Sequence, residues 1–458
     1  MGDMIKTCFF REQEKYTQKQ LGEKLCCDNE DRLINVIRRL KEFGVIKRVK
    51  KDTPDFQEIN NEDYSVAPVV KDDTESLYSF CFVGVLWVNG FVIKCYPKYH
   101  HEKEVNIENF KEVLSVIKKY NHEKDNVIHL QNDGLDGSAF NMLALMLYFL
   151  NDYYANGLYT NAQEIIETNG TGEILWDKTI NETFAYIKNS KPFYMELKTR
   201  KRINDETDFF SRLHQCILGV CSREFKNQEL FDIFDDVSPV EFDENELDDF
   251  GDREYLCYRI ERELAVQYNT RKKLLLKSMY AFIKNEKSID TADHFSMFGT
   301  VAYHTIWESV CKDVLRDQTD IYLKYIAKPK WNGIEVEKTL IPDIITVTDN
   351  YFAIFDAKYY DVKIENNTIS GQPGIESITK QYLYEQAFMR KGLTKNKIVY
   401  NAFIFPSEQY EDIVKRGKVE FSIMCPLLKD IDIIFVKPTW IYKEYLNGKK
   451  VLDLLLPQ

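Results

Sequence analysis

Several kinds of protein are excluded by what this 458-residue sequence does not contain. It has no phosphate loop of the form GxxxxGKS or GxxxxGKT. The one suggestive glycine pair, Gly170-Thr171-Gly172, runs straight into Glu173-Ile174-Leu175-Trp176. The chain is therefore not expected to run a P-loop NTPase cycle, and any nucleotide-driven motor belongs to a separate polypeptide. Ten cysteines occur without a single CxxC pair; adjacent Cys26-Cys27 and the Cys216/Cys221 spacing make no zinc pattern. They read as reduced, largely buried thiols of a cytoplasmic protein. No apolar run is long enough to span a membrane, the first residues form no apolar leader, and Lys6 stands where myristoylation of Gly2 would need Ser or Thr. Basic excess is missing too. A net charge of -12 and a pI near 5.3 rule out a uniformly basic coat and confine any nucleic-acid contact to local patches.

What is present is core material. Hydrophobic residues make up 44% and aromatics 14% of the chain, enough for several domains. The most informative stretch is Thr339 to Tyr360, in which two β-branched and aromatic runs flank Thr348-Asp349-Asn350. This predicts a β-hairpin. If Asp349-Asn350 is a two-residue loop, Thr348 pairs with Tyr351, and the same register sets Asp343 opposite Asp356. Side chains alternate along a strand, so Lys358 shares a face with Asp356. Two carboxylates and an ammonium then converge among Ile344, Ile345, Ile354 and Phe355, where unpaired charge is costly. A buried structural Asp-Lys pair is one reading of the pattern; a catalytic cluster is the other.

The pattern Pro342-Asp343, then Asp356-Ala357-Lys358, with a helix before it and another after it, resembles the PD-(D/E)xK nuclease core. The resemblance implies a divalent cation, Mg²⁺, surrounded by carboxylates, with the lysine helping to position and activate the attacking water. A further carboxylate should come from outside the hairpin. Phe295 to Arg316 is expected to be a helix with Phe298, Ala302, Ile306, Val310 and Val314 on its buried stripe. Glu308 lies off that stripe, either as the third carboxylate or as a solvated side chain. His304, one turn earlier, reads as a packing or hydrogen-bonding residue. Gln381, in a helix expected over Gly374 to Phe388, either touches the site backbone or DNA or is simply exposed.

At the N-terminus a short helix begins at Thr17, Asp28 can cap a second one carrying Leu33, Ile37 and Leu40, and Gly44 ends it before a strand from Val45 to Val49. Helix, turn, helix, strand is the order of a winged helix. Arg38, Arg39, Lys41, Lys47 and Arg48 concentrate positive charge there and are candidates for DNA contact. The alternatives are a protein-docking module or a solvated basic face. Asp52 to Ser76 reads as a polar connector with one strand, Tyr64 to Val70. A second hairpin turns at Val88-Asn89-Gly90, and helices are expected at Ile107 to Lys119, Phe140 to Tyr154 and Arg253 to Lys284. The acidic run from Gln228 to Glu254 reads as a solvated loop. Apolar strands follow at Ile398 to Phe405 and Ile431 to Val436.

Five phrases, FVGVLWVNGFVIKCYPKY, GTGEILWDKTI, RINDETDFFSRLHQCILGVC, FGTVAYHTIWESVCKDV and IPDIITVTDNYFAIFDAKYY, occur in an order that resembles the LlaJI-type restriction endonucleases. These are similar to the McrC nuclease subunits of McrBC-like systems. The resemblance runs from about Phe82 to the end and implies a bacterial restriction subunit that hydrolyses foreign double-stranded DNA with Mg²⁺, alongside an McrB-like AAA+ NTPase. It places Asp343, Asp356 and Glu308 at the metal and Lys358 as the catalytic lysine. RecB-like members carry Gln-x-x-x-Tyr after the lysine, whereas here Glu385 stands at the tyrosine position and Tyr384 one residue early. The expected architecture is α+β and multidomain: a winged helix over 1–65, a mixed α/β partner-docking region over 66–285, and a nuclease core with a mixed sheet flanked by helices over 286–458. A repair nuclease and a non-catalytic DNA-binding adaptor are the other functional classes compatible with these residues.

Overall fold

The computed structural model describes residues 7–49, 77–101, 106–123, 141–205, 208–242, 246–285, 294–335, 339–365, 368–423 and 428–456. The connector from Asp52 to Ser76 and its expected strand lie outside them. The chain is a mixed α+β protein with several sheets, as expected, and its contacts gather into two units, Met1–Ala144 with Asp290–Gln458, and Leu145–Ile289. Among the described residues no helix is long and apolar enough to cross a membrane.

In the first unit, Thr17 caps the helix Gln18–Leu25 in a reciprocal capping box with Gln20. The second helix, Glu30–Glu42, is capped by Asn29 rather than the expected Asp28, because the Asn29 side chain reaches the Arg32 amide. Its Leu33, Val36, Ile37 and Leu40 are buried as one stripe. Strand Ile46–Val49 follows, and a three-stranded antiparallel sheet forms in the order Lys15–Thr17, Leu77–Phe80, Ile46–Val49. The middle strand thus comes from beyond residue 65.

A four-stranded sheet runs in the order Thr7–Arg11, Phe91–Tyr96, Val83–Val88, Phe295–Thr300. Its two central strands are buried at every position, which is why they read as continuous apolar runs. The turn between them is at Asn89-Gly90, with φ of 47° and 78°. Hydrogen-bonded strand pairs therefore cross the sequence boundaries at 65 and 286, since strands on either side of those boundaries share one sheet.

Phe295–Thr300 is a strand, not the first turns of a helix; the helix spans only Tyr303–Val314. Ile306, Val310 and Val314 keep the expected stripe, while Phe298 and Ala302 precede it. The reason is non-local. Gly299 lies opposite Gly84, and a Cβ on Gly84 would sit 2.2 Å from the Phe298 carbonyl oxygen. Two facing glycines let the backbones close, and the ladder hydrogen bonds override the helical spacing.

The rest of this unit is a five-stranded mixed sheet in the order Ile344–Val347, Tyr351–Ala357, Ile398–Pro406, Ile431–Val436, Ile413–Val419. Its inner pairs are parallel and its two edges antiparallel. Helix Ile375–Arg390 makes the crossover between the first parallel pair and, like Tyr303–Val314, packs on strand Tyr351–Ala357. The hairpin has the expected register, with Ile344 opposite Phe355 through Val347 opposite Phe352.

The second unit is largely helical, with Phe209–Asn227, Arg253–Val266 and Thr270–Asn285. The single helix expected over Arg253 to Lys284 is broken at Gln267–Asn269, where the Gln267 side chain accepts from the Tyr268 and Asn269 amides. The described part of the acidic run before it is irregular except for a short 3₁₀ turn at Leu247–Phe250. Strands Asn161–Thr168 and Lys198–Asp205 pair antiparallel, and a hairpin of Ala185–Lys188 and Lys191–Tyr194 lies between them in sequence.

Candidate active site at the hairpin edge

Asp343 precedes the first hairpin strand and Asp356 is the penultimate residue of the second, so the register that pairs Ile344 with Phe355 carries the two aspartates together. Asp356 is hydrogen-bonded to Asp343. Lys358, two residues on, places its ammonium 3.0 Å from Asp356 Oδ1. Asp356 is 5% exposed. Burial, then the hydrogen bond and charge of Asp343, push its carboxyl up to about 8, with Lys358 opposing. Burial alone would depress the Lys358 ammonium, but the charges of Asp356 and Asp343 hold it above its ordinary value. Lys358 is thus a fixed cation near neutral pH, suited to charge stabilisation and unsuited to act as a base.

Glu308, on helix Tyr303–Val314, is half-buried, and its charge acts with that of Asp343 on the buried thiol of Cys311. Among the described residues no group of three or more His, Cys, Asp and Glu is arranged to hold a metal ion. The two aspartates nevertheless offer a place for a cation. Asp343 Oδ2 is buried without a hydrogen-bond partner, Asp356 Oδ1 faces the Lys358 ammonium, and two carboxylates in contact repel unless a proton or cation lies between them. Mg²⁺ often takes one or two protein carboxylates and keeps its waters, so these residues fit it.

Gln381 is not exposed. It is completely buried, and its Nε2 donates to the Ala402 carbonyl of the neighbouring strand, so the solvated reading does not hold. Glu385 is buried as well and accepts a 3.0 Å hydrogen bond from Asn401. Tyr384 points toward the site. It feels the charges of Asp356, Asp343 and Lys358, and its hydroxyl donates 2.9 Å to the Ile341 carbonyl, two residues before Asp343.

Sequence reading gave no hint of three further residues. Tyr359, next to Lys358, donates a 2.6 Å hydrogen bond to Oε2 of buried Glu12 and accepts one of 3.2 Å from the Lys98 amide. The buried Lys98 ammonium lies 4.4 Å from the centre of the Tyr359 ring. Burial raises the Glu12 carboxyl, with Lys98, Tyr359 and His304 opposing. No local pattern could have announced this cluster, because its members come from three distant segments.

At the N-terminus, Arg38 and Arg39 lie 3.8 and 3.1 Å from Glu42, while Lys41 is depressed by burial and by the charge of Arg48. Lys47 and Arg48 sit on the strand Ile46–Val49, half-buried. Arg32 is turned inward, its guanidinium 4.4 Å from the centre of the Phe91 ring and bonded to the Asn89 carbonyl.

The mixed sheet with carboxylates and a lysine at the strand ends is found in a chain whose residues 82–438 match the family model described as LlaJI restriction endonuclease. This places it among the nucleases of restriction systems. The chain belongs to the LlaJI restriction endonuclease family. It is similar to the type II restriction enzyme BsuMI component YdjA of Bacillus subtilis (strain 168), 29% identical over 403 residues, 83% of each chain. Among solved structures it is similar to a chain of the Thermococcus gammatolerans assembly of McrB AAA+ hexamers with bound McrC, with a TM-score of 0.44, 14% identity, and coverage of 98% of this chain and 100% of that one. A chain of the McrBC complex from the same organism is also similar, with a TM-score of 0.28, 13% identity, and coverage of 71% and 89%.

Proposed function

We propose that this chain is the nuclease subunit of a restriction system and hydrolyses phosphodiester bonds in foreign double-stranded DNA in a Mg²⁺-dependent, site-specific reaction in the cytoplasm. The observation that carries the reading is the convergence of Asp343, Asp356 and Lys358 at one end of the hairpin. In this reading the sheet with its two helices is a PD-(D/E)xK core, Asp343 and Asp356 would hold the metal, and Glu308 would be the third carboxylate. A divalent ion bound there would polarise the scissile phosphate and lower the pKa of a water. The chain's own residues do the rest. Asp343 and Asp356 would hold the ion through their carboxylates. Lys358 sets a permanent positive charge where negative charge grows on the phosphorus oxygens. Tyr384 fixes the Ile341–Asp343 segment through its hydroxyl, and Gln381 ties the crossover helix to the adjacent strand.

The N-terminal helices and strand form a winged helix in this proposal, with Arg38, Arg39, Lys41, Lys47 and Arg48 toward DNA. The proximity of Lys41 and Arg48 supports a local basic face. A separate McrB-like AAA+ NTPase partner is proposed from the missing phosphate loop and from the relative's description as one component of a system; residues of the 66–285 region would dock it.

The test is plasmid cleavage by the wild type and by Asp356→Ala, with and without Mg²⁺ and the protein encoded beside it. Cleavage that requires Mg²⁺ and is lost in a folded, DNA-binding variant supports the reading. Equal behaviour of the two proteins overturns it and leaves the hairpin carboxylates structural.

A further inference from the structure

On the nuclease sheet, two surface loops stand out by charge. Residues 324–335 carry Lys324, Lys328 and Lys330 against a single acid, Glu335, and residues 386–398 carry Arg390, Lys391, Lys395 and Lys397 with no acid at all. Both segments belong to a chain of net charge -12, so this concentration is not a consequence of composition. Lys324, Lys328, Lys330, Arg390, Lys391 and Lys395 are all exposed.

The two loops are neighbours because one apolar cluster anchors both. Tyr322 and Leu323 just before the first, Tyr325 within it, and Phe388 and Leu393 from the second join one cluster with Ile345, Phe352 and Ile354. The Tyr322 ring lies 5.5 Å from Phe352, and Phe352 lies 5.1 Å from Phe388. The first loop ends in a tight hairpin, Lys330–Trp331 paired with Ile334–Glu335 around Asn332-Gly333. Its tip exposes Trp331 at 75% and Ile334 at 73%, a large apolar pair in a strongly basic setting.

The second loop is tied to the far end of the site hairpin. Lys397 Nζ donates to the Thr348 and Asp349 carbonyls. From Asp343 to Thr348 is five residues of extended chain, ~16 Å. That span matches about five base pairs, on the scale of a duplex contact flanking a cut phosphate.

We infer that these two loops form the surface along which double-stranded DNA lies beside the cleavage site, with the lysines and arginine on its phosphates and the Trp331 tip in a groove. The inference rests on the nuclease reading above and adds a substrate-binding surface to it, separate from the N-terminal basic helix. Charge complementarity selects a polyanion, and the exposed apolar tip fits a groove wedge.

The experiment is duplex binding by fluorescence anisotropy, with the full chain, a labelled 30-base-pair duplex and Ca²⁺ in place of Mg²⁺, over a salt series. The wild type is compared with Lys391→Glu/Lys395→Glu, Lys324→Glu/Lys328→Glu and Trp331→Ala, each checked for an unchanged melting temperature. Each charge-reversed pair should weaken binding about tenfold or more and reduce the slope of log affinity against log salt by roughly two; Trp331→Ala should weaken binding without changing the slope. Wild-type affinity and slope in the charge variants overturn the surface while leaving the nuclease reading intact. Loss of the AAA+ partner with DNA binding retained also overturns it and makes the surface a protein interface. A wild type that neither binds duplex nor cuts it overturns both readings.

Discussion

The hydroxyl of Tyr359 and the carboxylate of Glu12 are 2.6 Å apart across 347 residues of sequence. The bond joins the end of the N-terminal strand to the residue that follows Lys358, so the backbone carrying the lysine is anchored from the opposite sheet system. Glu12 is buried, and Tyr359 is one of its few donors. Tyr359→Phe removes one oxygen and leaves the carboxylate short of a hydrogen bond. Urea unfolding should show a loss of about 1.5–3 kcal/mol, the usual worth of a hydrogen bond to a charged group, and cleavage should fall with it because Lys358 loses its anchor. Unchanged stability would show that Glu12 is satisfied without Tyr359.

Asp356 is held partly protonated in the absence of a cation, and this has a definite sign. Its folded pKa lies above the ordinary 3.8, at about 8. The stabilisation that follows is complete below pH 4 and is lost as pH rises toward 8. In EDTA the melting temperature should therefore decline across that window through this group. Asp356→Asn should flatten the decline, raise the melting temperature at pH 8, and abolish cleavage. Added Mg²⁺ should stabilise the wild type at pH 8 and leave the variant unmoved; a variant that Mg²⁺ stabilises equally would remove Asp356 from the metal.

Two buried histidines act in the opposite direction. Burial depresses His214 to about 3 and His294 to about 4. His214 accepts from the Tyr159 amide, and His294 pairs with Ser296. Both are neutral in the fold and protonate more readily when unfolded, so the stability they contribute is present above about pH 6.5 and is lost as pH falls toward 4. Each can cost up to about 1.4 kcal/mol per pH unit in that range. Replacing His214 with Gln should lessen the acid-induced drop measured by thermal unfolding between pH 6.5 and 4.5.

Gly299 faces Gly84 where two backbones touch. A Cβ on Gly299 would lie 2.2 Å from the Val83 carbonyl oxygen. Gly299→Ala should cost about 3 kcal/mol or more, the upper range for overpacking, seen as a lower urea midpoint. Gly374→Ala meets nothing within 4 Å and serves as the comparison expected to stay close to wild type.

Much of the local structure was written in the sequence. Thr348-Asp349-Asn350 between two apolar runs set both the turn and the register that brings Asp343 to Asp356, because period-two alternation and loop length leave one pairing. Thr17 announced the start of its helix, as a residue of the type that caps one. Where sequence reading failed, the competing interaction was distant. The fourfold stripe from Phe298 to Val314 is a sound helical pattern, yet its first turn is drawn into a sheet by a glycine contact with residue 84. Gln381 read equally well as exposed, since nothing nearby shows that strand Ile398–Pro406 covers it.

The sequence by itself determined many of the local elements and the hairpin register, which depend on side chains within a few residues of one another. Tertiary structure alone decided that Glu12 and Lys98 support the residue beside Lys358, that strands 7–11 and 295–300 share one sheet, and that the segments 324–335 and 386–398 share an apolar cluster with Phe352. These contacts depend on closing chain segments of tens to hundreds of residues. Their energy comes from burial and hydrogen bonding between surfaces that carry no mark of one another in the linear order.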